Sequence, residues 1–396
     1  MTLTLLIDLD DTLLQNDINR FVPAYLKALS GHMARYSEPL RFAEALMAGT
    51  RLMMTTHSPN RTLQETFDAY FFPALGLQRE AVQAEIDDFY RRIFPELQSL
   101  TKPQPGAQDL IAHAHQNSWQ VVIATNPIFP RIAIEHRLAW AGLPPAQHPF
   151  ALIPSYEVFH FSKPAPEYYA EVLANIGWPQ APVLMVGNDP DLDIDPARQI
   201  GLPTFWVTSA PNGAVGGELT TLLPWLDTVS EQTLYPALNS PRAALATLRT
   251  TPAVLQGWGN VLAGETWQMP LSPGEWSLAA TLCHLRDSDI EVNRPRLESI
   301  LKRENPFIPA VDTDHWAEER GYHLTDGPTA LHEFLDSRQA LLTLLNDLPP
   351  DAWQRPMRHS IFGPGTLAEL VCFMAEHDRI HLRTIYASGH IAPQNP

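Results

Sequence analysis

Five short apolar runs, separated by amphipathic stretches, fill most of the first 230 residues, and this alternation constrains the fold more than any other feature. The runs are 3–8, 120–125, 150–154, 183–187 and 204–207, and helical patterns such as 131–141, 166–176 and 196–200 lie between them. A near-continuous apolar run is the mark of a strand covered on both faces. Parallel strands need crossover helices to supply that cover. The expected fold is therefore a doubly wound α/β parallel sheet. From 16 to 100 the rhythm breaks, leaving only helical patterns at 21–33, 40–54, 63–70 and 80–93. Such an insertion after the first strand predicts a helical cap above the C-terminal edge of the sheet, where open α/β sheets bind ligands.

Periodicity fades over 227–241, predicting a linker at 231–240 between a first domain (1–230) and a second (241–396). Four longer helical stretches follow at 241–263, 276–303, 328–347 and 366–387, the pattern of a four-helix bundle. With 44 acidic against 27 basic side chains, the formal charge is −17. A surface that acidic repels phosphate backbones and anionic lipid, so neither nucleic acid nor membrane is an expected partner. No apolar run approaches the roughly 20 residues of a bilayer span. The first residues, Met1-Thr-Leu-Thr-Leu-Leu-Ile-Asp8, lack the basic start of a signal peptide. Two cysteines, Cys283 and Cys372, cannot build a disulfide framework, so a reducing, cytoplasmic setting is expected.

Chemistry-bearing residues gather where the strands end. Asp8-Leu-Asp10-Asp11-Thr12 follows the first run at once. Two carboxylates two residues apart suit a nucleophile beside a general acid, or a hard divalent cation, provided that the chain turns sharply between them. Thr125-Asn126-Pro127 ends the second run, Lys163 precedes a helix in Ser162-Lys163-Pro164, and Gly187-Asn188-Asp189-Pro-Asp191-Leu-Asp193 ends another run. Taken singly, these residues read equally well as a hydroxyl turn, a solvated lysine and helix caps.

In this order the four segments resemble the four motifs of the haloacid dehalogenase superfamily, over about residues 1–230. The resemblance implies an Mg²⁺-dependent hydrolase acting on a small phosphorylated metabolite. Asp8 would attack phosphorus and form an aspartyl-phosphate. Asp10 would protonate the leaving oxygen and then activate water. Thr125, Asn126 and Lys163 would bind the phosphoryl oxygens. The metal would sit among Asp8, Asp10 and Asp189, with Asp193 behind them. An acid at position 10 favours phosphate esters over halides, because halide needs no proton to leave. Asn188 stands where many relatives carry aspartate.

In the last helical stretch, His377 and His381 extend the stripe Leu367, Leu370, Val371, Met374 and Ile385. Their i, i+4 spacing places them within a helical turn of each other. His284 flanks the apolar face of the second stretch. The three imidazoles read either as a metal site with open positions or as core histidines bonded to polar neighbours. Trp-Ser…Leu-Cys-His284-Leu-Arg-Asp287 and Glu376-His377-Asp378-Arg-Ile-His381 resemble the DinB-like metal-binding bundles. That resemblance implies Zn²⁺ or Ni²⁺ on His284, His377 and His381, with Asp287 and Asp378 either orienting the rings or simply solvated. It also leaves open thiol transfer, or a sensing or dimerising role, and makes a homodimer a partner to look for. Cys283, Cys372 and the tryptophans are expected to be packing residues.

Overall fold

The computed structural model describes residues 2–313, 315–346 and 348–391. Its contacts separate two compact units. One runs up to Val172 and resumes over Pro179–Pro236; the other comprises Leu173–Trp178 and the chain from Ala237 onward.

The first unit is built on five parallel strands in the order β4-β1-β5-β6-β7: β1 (Thr4–Ile7), β4 (Gln120–Ile123), β5 (Val183–Gly187), β6 (Thr204–Val207) and β7 (Gly216–Gly217). Every residue of β1 and β5 is buried, which is why both read as unbroken apolar runs. β1 is central, with Leu5 opposite Val121 on one side and Leu184 on the other. The C-terminal ends of β1, β4 and β5 therefore converge. The run at 150–154, expected as a strand, contributes a single bridge from Leu152 to Val122. Prolines at 149 and 154 bracket it and interrupt a longer ladder.

Between β1 and β4 lies the helical cap: α1 (Ile18–His32), α2 (Pro39–Thr55), α3 (Leu63–Leu75) and α4 (Arg79–Asp88). Local sequence fixes its boundaries. Glu38 caps α2 ahead of Pro39, and Thr62 with Glu65 forms a capping box on α3. Gly76, at φ +71°, ends α3 in the left-handed region that favours glycine. Two short strands absent from the sequence reading, β2 (Leu14–Asn16) and β3 (Thr101–Pro103), pair antiparallel where the chain enters and leaves the cap. At three residues each, they are too short to show a period. After β3 come α5 (Ala107–Gln116), α6 (Arg131–Trp140), α7 (Pro166–Asn175), α8 (Asp195–Gln199) and α9 (Leu222–Leu226).

The second unit carries the four long helical stretches close to their expected limits. They are α10 (Pro241–Val261), α11 (Leu278–Asp287) continued through a π-helical segment into α12 (Arg294–Lys302), α14 (Gly327–Asn346) and α15 (Leu367–Ala387). A short α13 (Trp316–Glu319) precedes α14. Leu248, Leu297, Ile300, Leu341, Leu370 and Val371 form the centre of one apolar cluster. A three-stranded sheet was not expected. It consists of β8 (Phe307–Ile308), β9 (Pro356–His359) and β10 (Gly363–Thr366), whose glycines and prolines hide any alternation. Among the described residues no helix is long and apolar enough to cross a membrane.

Arg338, almost fully buried on α14, ties this unit together. Its Nε donates to Asp289 Oδ2 at 2.7 Å and its Nη2 to Asp378 Oδ1 at 3.0 Å. Removing one partner of a buried ion set strands the others in a medium that solvates charge poorly. Arg338→Leu is therefore expected to lower unfolding free energy by about 3–5 kcal/mol in urea titrations, whereas an exposed arginine such as Arg294 should matter little.

Candidate active site and candidate metal centre

Immediately after β1 the chain doubles back. Leu13 and Leu14 both donate backbone N–H groups to Leu9 O at 2.9 Å, and Asp11 takes φ +56°. The sharp turn required by the Asp8–Asp10 spacing is thus present. Asp8 is buried and accepts from Lys163 Nζ at 2.8 Å. The same ammonium reaches Asp193 Oδ1 at 2.5 Å. Residues following β1 and β5 thus meet the loop ahead of α7 at one nitrogen. Burial opposes the Lys163 charge, but Asp193 and Asp8 outweigh it and raise its pKa above the usual lysine value. Asp193 titrates above the ordinary carboxylate range because it is buried and because Asp8 repels it, although Lys163 pulls the other way.

In the fourth segment the two carboxylates make different contacts. Asp189 Oδ1 accepts from Asp191 N at 2.8 Å and Leu192 N at 3.0 Å, so it caps the following turn. Asp193, expected behind it, is the carboxylate that touches Lys163, and its second oxygen accepts from Asp189 N at 3.0 Å. The π-helical turn Pro190–Ile194 carries position 193 back over the end of β5. This approach depends on Gly187, where a Cβ would collide with the Asp193 carboxylate. Asn188 accepts from Thr12 Oγ1 at 3.2 Å.

Thr125 is buried just beyond β4, and its carbonyl accepts from Tyr168 Oη at 2.7 Å. Asn126 Oδ1 accepts from Lys163 N at 3.2 Å, which joins the second and third segments. The loop carrying Lys163 is pinned from behind. Buried Glu171 accepts from the backbone N–H groups of His160 and Phe161 at 3.0–3.1 Å, and contacts His160 Nδ1 at 2.8 Å. Asp10 lies apart from Lys163. Its Oδ1 accepts from Asn16 Nδ2 at 2.9 Å, and its Oδ2 pairs with Arg137. Sequence reading missed Asn16, Arg137 and Glu171. For Arg137 a signal existed: it interrupts the apolar face Ala133, Ile134 and Leu138 of α6, an arginine where the pattern calls for a hydrophobe.

In the second unit the three histidines converge. His377 Nε2 lies 3.0 Å from His284 Nε2 and 3.1 Å from His381 Nε2. Burial, reinforced by His377, lowers His284 to about 4; burial, with His377 and His284, lowers His381 to about 2. Neutral rings crowded this way lack protons enough to bond one another fully, and His284 Nδ1 is buried without a partner. Convergent imidazole lone pairs of this kind fit a transition-metal ion. Trp276, expected as packing, lies against His284 at 4.9 Å between ring centroids. Asp287 and Asp378 do not orient the rings. Asp287 accepts from Arg320 and Tyr322 at 2.7 Å, and Asp378 serves Arg338. Cys283 is buried core, as expected, whereas Cys372 is half-buried.

Known proteins match the two units separately. The model of the haloacid dehalogenase-like hydrolases matches residues 2–201, and that of the DinB superfamily matches residues 247–385. A protein of Oceanobacillus iheyensis named as a metal-dependent hydrolase is 31% identical over 135 residues, 34% of this chain and 77% of that protein. Phosphoserine phosphatase of Thermus thermophilus is 27% identical over 226 residues, 51% of this chain and 87% of that enzyme. Among solved structures, the magnesium-bound HAD-hydrolase YfnB of Bacillus subtilis is 24% identical at a TM-score of 0.37, covering 57% of this chain and 99% of its own. The chain is thus a hydrolase that belongs, over residues 2–201, to the haloacid dehalogenase-like family, and its second unit belongs to the DinB superfamily.

Proposed function

We propose that the protein is an Mg²⁺-dependent phosphatase acting on a small phosphorylated metabolite through an aspartyl-phosphate on Asp8. The observation that carries this reading is the meeting of Asp8, Lys163 and Asp193 at the ends of the strands. Two buried carboxylates against one ammonium leave excess negative charge and an oxygen-only donor set, which suits a small hard cation. Asp8, the Asp10 backbone carbonyl and Asp193 would hold Mg²⁺, with Asp189 kept to its capping role. The ion supplies neutralisation of the charge that gathers on the phosphoryl oxygens.

Within that frame the side chains divide the work. An Asp8 carboxylate oxygen attacks phosphorus as the bond to the leaving oxygen breaks. Asp10, held between Asn16 and Arg137, gives that oxygen its proton. The Asp10 carboxylate then takes a proton from the water that attacks the aspartyl-phosphate, and Asp8 and inorganic phosphate are released. Lys163, the Thr125 hydroxyl and the Asn126 amide are the donors for the phosphoryl oxygens, and Lys163 also holds the Asp8 carboxylate in place. In the DinB-like unit His284, His377 and His381 would hold a second metal, Zn²⁺ or Ni²⁺.

With Mg²⁺ the protein is expected to hydrolyse p-nitrophenyl phosphate, and Asp8→Asn to abolish turnover; undiminished turnover in that variant would end the assignment. Arg137→Met, which releases Asp10 from one side, should lower kcat by about 10²-fold, with a smaller effect on KM. Elemental analysis should find about one transition-metal ion per chain, lost from the His377→Ala/His381→Ala double variant.

A further inference from the structure

The four cap helices do not fill the space between them. They enclose a cavity of about 240 Å³, closed on the sheet side by Ile128, Phe129 and Pro130. These three residues follow directly on Thr125-Asn126-Pro127. Phe129 connects the cavity to the candidate active site. Tyr25 packs edge-on to its ring at 5.4 Å, and the Arg137 guanidinium lies 5.3 Å from its centroid. Arg137 in turn holds Asp10, the proton donor to the leaving group. Phe129, in the cavity wall, is thus linked to Asp10 through Arg137.

The lining is carbon, drawn from Leu29, Phe42, Leu46, Met53, Phe67 and Phe71 among others. Most of its polar groups are matched to one another, and Asp68 Oδ1 is a buried oxygen without a hydrogen-bond partner. Tyr25 Oη and Tyr90 Oη share a 2.8 Å hydrogen bond, and Asp68 and Arg79, the only charged residues in the lining, form an ion pair. Burial raises the Asp68 carboxyl above its usual range, as a low-polarity surround requires. Asp68 Oδ1 is the one open acceptor for an ammonium or a hydroxyl among these groups; the carboxylate of a phosphoamino acid and the remaining hydroxyls of a sugar would lose their water against carbon. By volume, a cavity of about 150 Å³ is enough for benzene. The larger space here accommodates a ring bearing several further carbons.

We propose that this cavity receives the leaving group, and that the substrate is the phosphate monoester of a bulky apolar alcohol, aryl-alkyl or branched alkyl. The inference rests on the phosphatase reading. The reaction consumes one water: the phosphorus–oxygen bond to the alcohol breaks, the alcohol oxygen takes the Asp10 proton, and the water oxygen ends on inorganic phosphate.

The test uses the full-length protein with Mg²⁺ and esters of matched, unactivated leaving groups: ethyl, n-butyl, benzyl and 2-naphthylmethyl phosphate, with O-phosphoserine as polar comparator. kcat/KM is expected to rise about fourfold for each methylene buried. Benzyl phosphate should exceed O-phosphoserine by about two orders of magnitude on the same basis. A flat series, or preference for O-phosphoserine, would overturn the proposal. Calorimetric titration with 2-naphthylmethanol separates the two levels of inference. Binding of the alcohol without hydrolysis of any ester would remove the phosphatase reading and keep an apolar ligand site. Hydrolysis without chain-length dependence or alcohol binding would remove the cavity's role alone. Thr50→Trp fills the cavity from a half-buried position and should abolish alcohol binding; retained binding in a variant with an unchanged melting curve would also count against the proposal.

Discussion

One ammonium group, held where water cannot reach it, organises the first unit. Lys163 is compatible with burial only because Asp8 and Asp193 flank it, and those two carboxylates tolerate each other only because Lys163 lies between them. Much else serves this arrangement. Glycine at 187 leaves room for Asp193, the π-helical turn brings Asp193 into position, and Glu171 anchors the loop from which Lys163 projects. The parallel sheet contributes by placing β1 between β4 and β5, so that segments far apart in sequence deliver their ends to one place.

The second unit handles buried polarity in two ways. Around Arg338 opposite charges meet, and the result is a cross-brace between α14, α15 and the π-helical segment that follows α11. Around His377 three like groups face one another. The first arrangement is complete in itself. The second turns three imidazole nitrogens onto one point, and this contrast separates a structural network from a candidate metal centre in the same bundle.

Much of this was legible in sequence wherever periodicity was strong. The long helices of the second unit and the buried strands β1, β5 and most of β4 announce themselves, because burial on one stripe or on both faces leaves a pattern. The ribbon β2–β3 and the sheet β8–β10 left none, being two to four residues long and rich in proline and glycine. At the site, spacing along the chain identified the segments but not the geometry within them. Nothing local distinguishes Asp189 from Asp193: both are acids near a helix start, and only the fold of the intervening turn determines which one caps and which one meets Lys163. Arg137 and Asn16 were missed because their significance lies in Asp10, a partner chosen by tertiary structure.

The ribbon that brackets the cap has a further meaning. Leu14 lies opposite Pro103 and Asn16 opposite Thr101, so the points where the chain departs from the sheet and returns to it are zipped together. Closing a loop grows harder only slowly with its length, and here the ends are already joined. From the standpoint of β1, everything between positions 16 and 101 is a hairpin tip, whatever its size. Helices lining that excursion are free to drift, lengthen or be exchanged over evolutionary time without disturbing the register of the sheet beneath, so selectivity and reactivity can diverge independently in descendants of this chain.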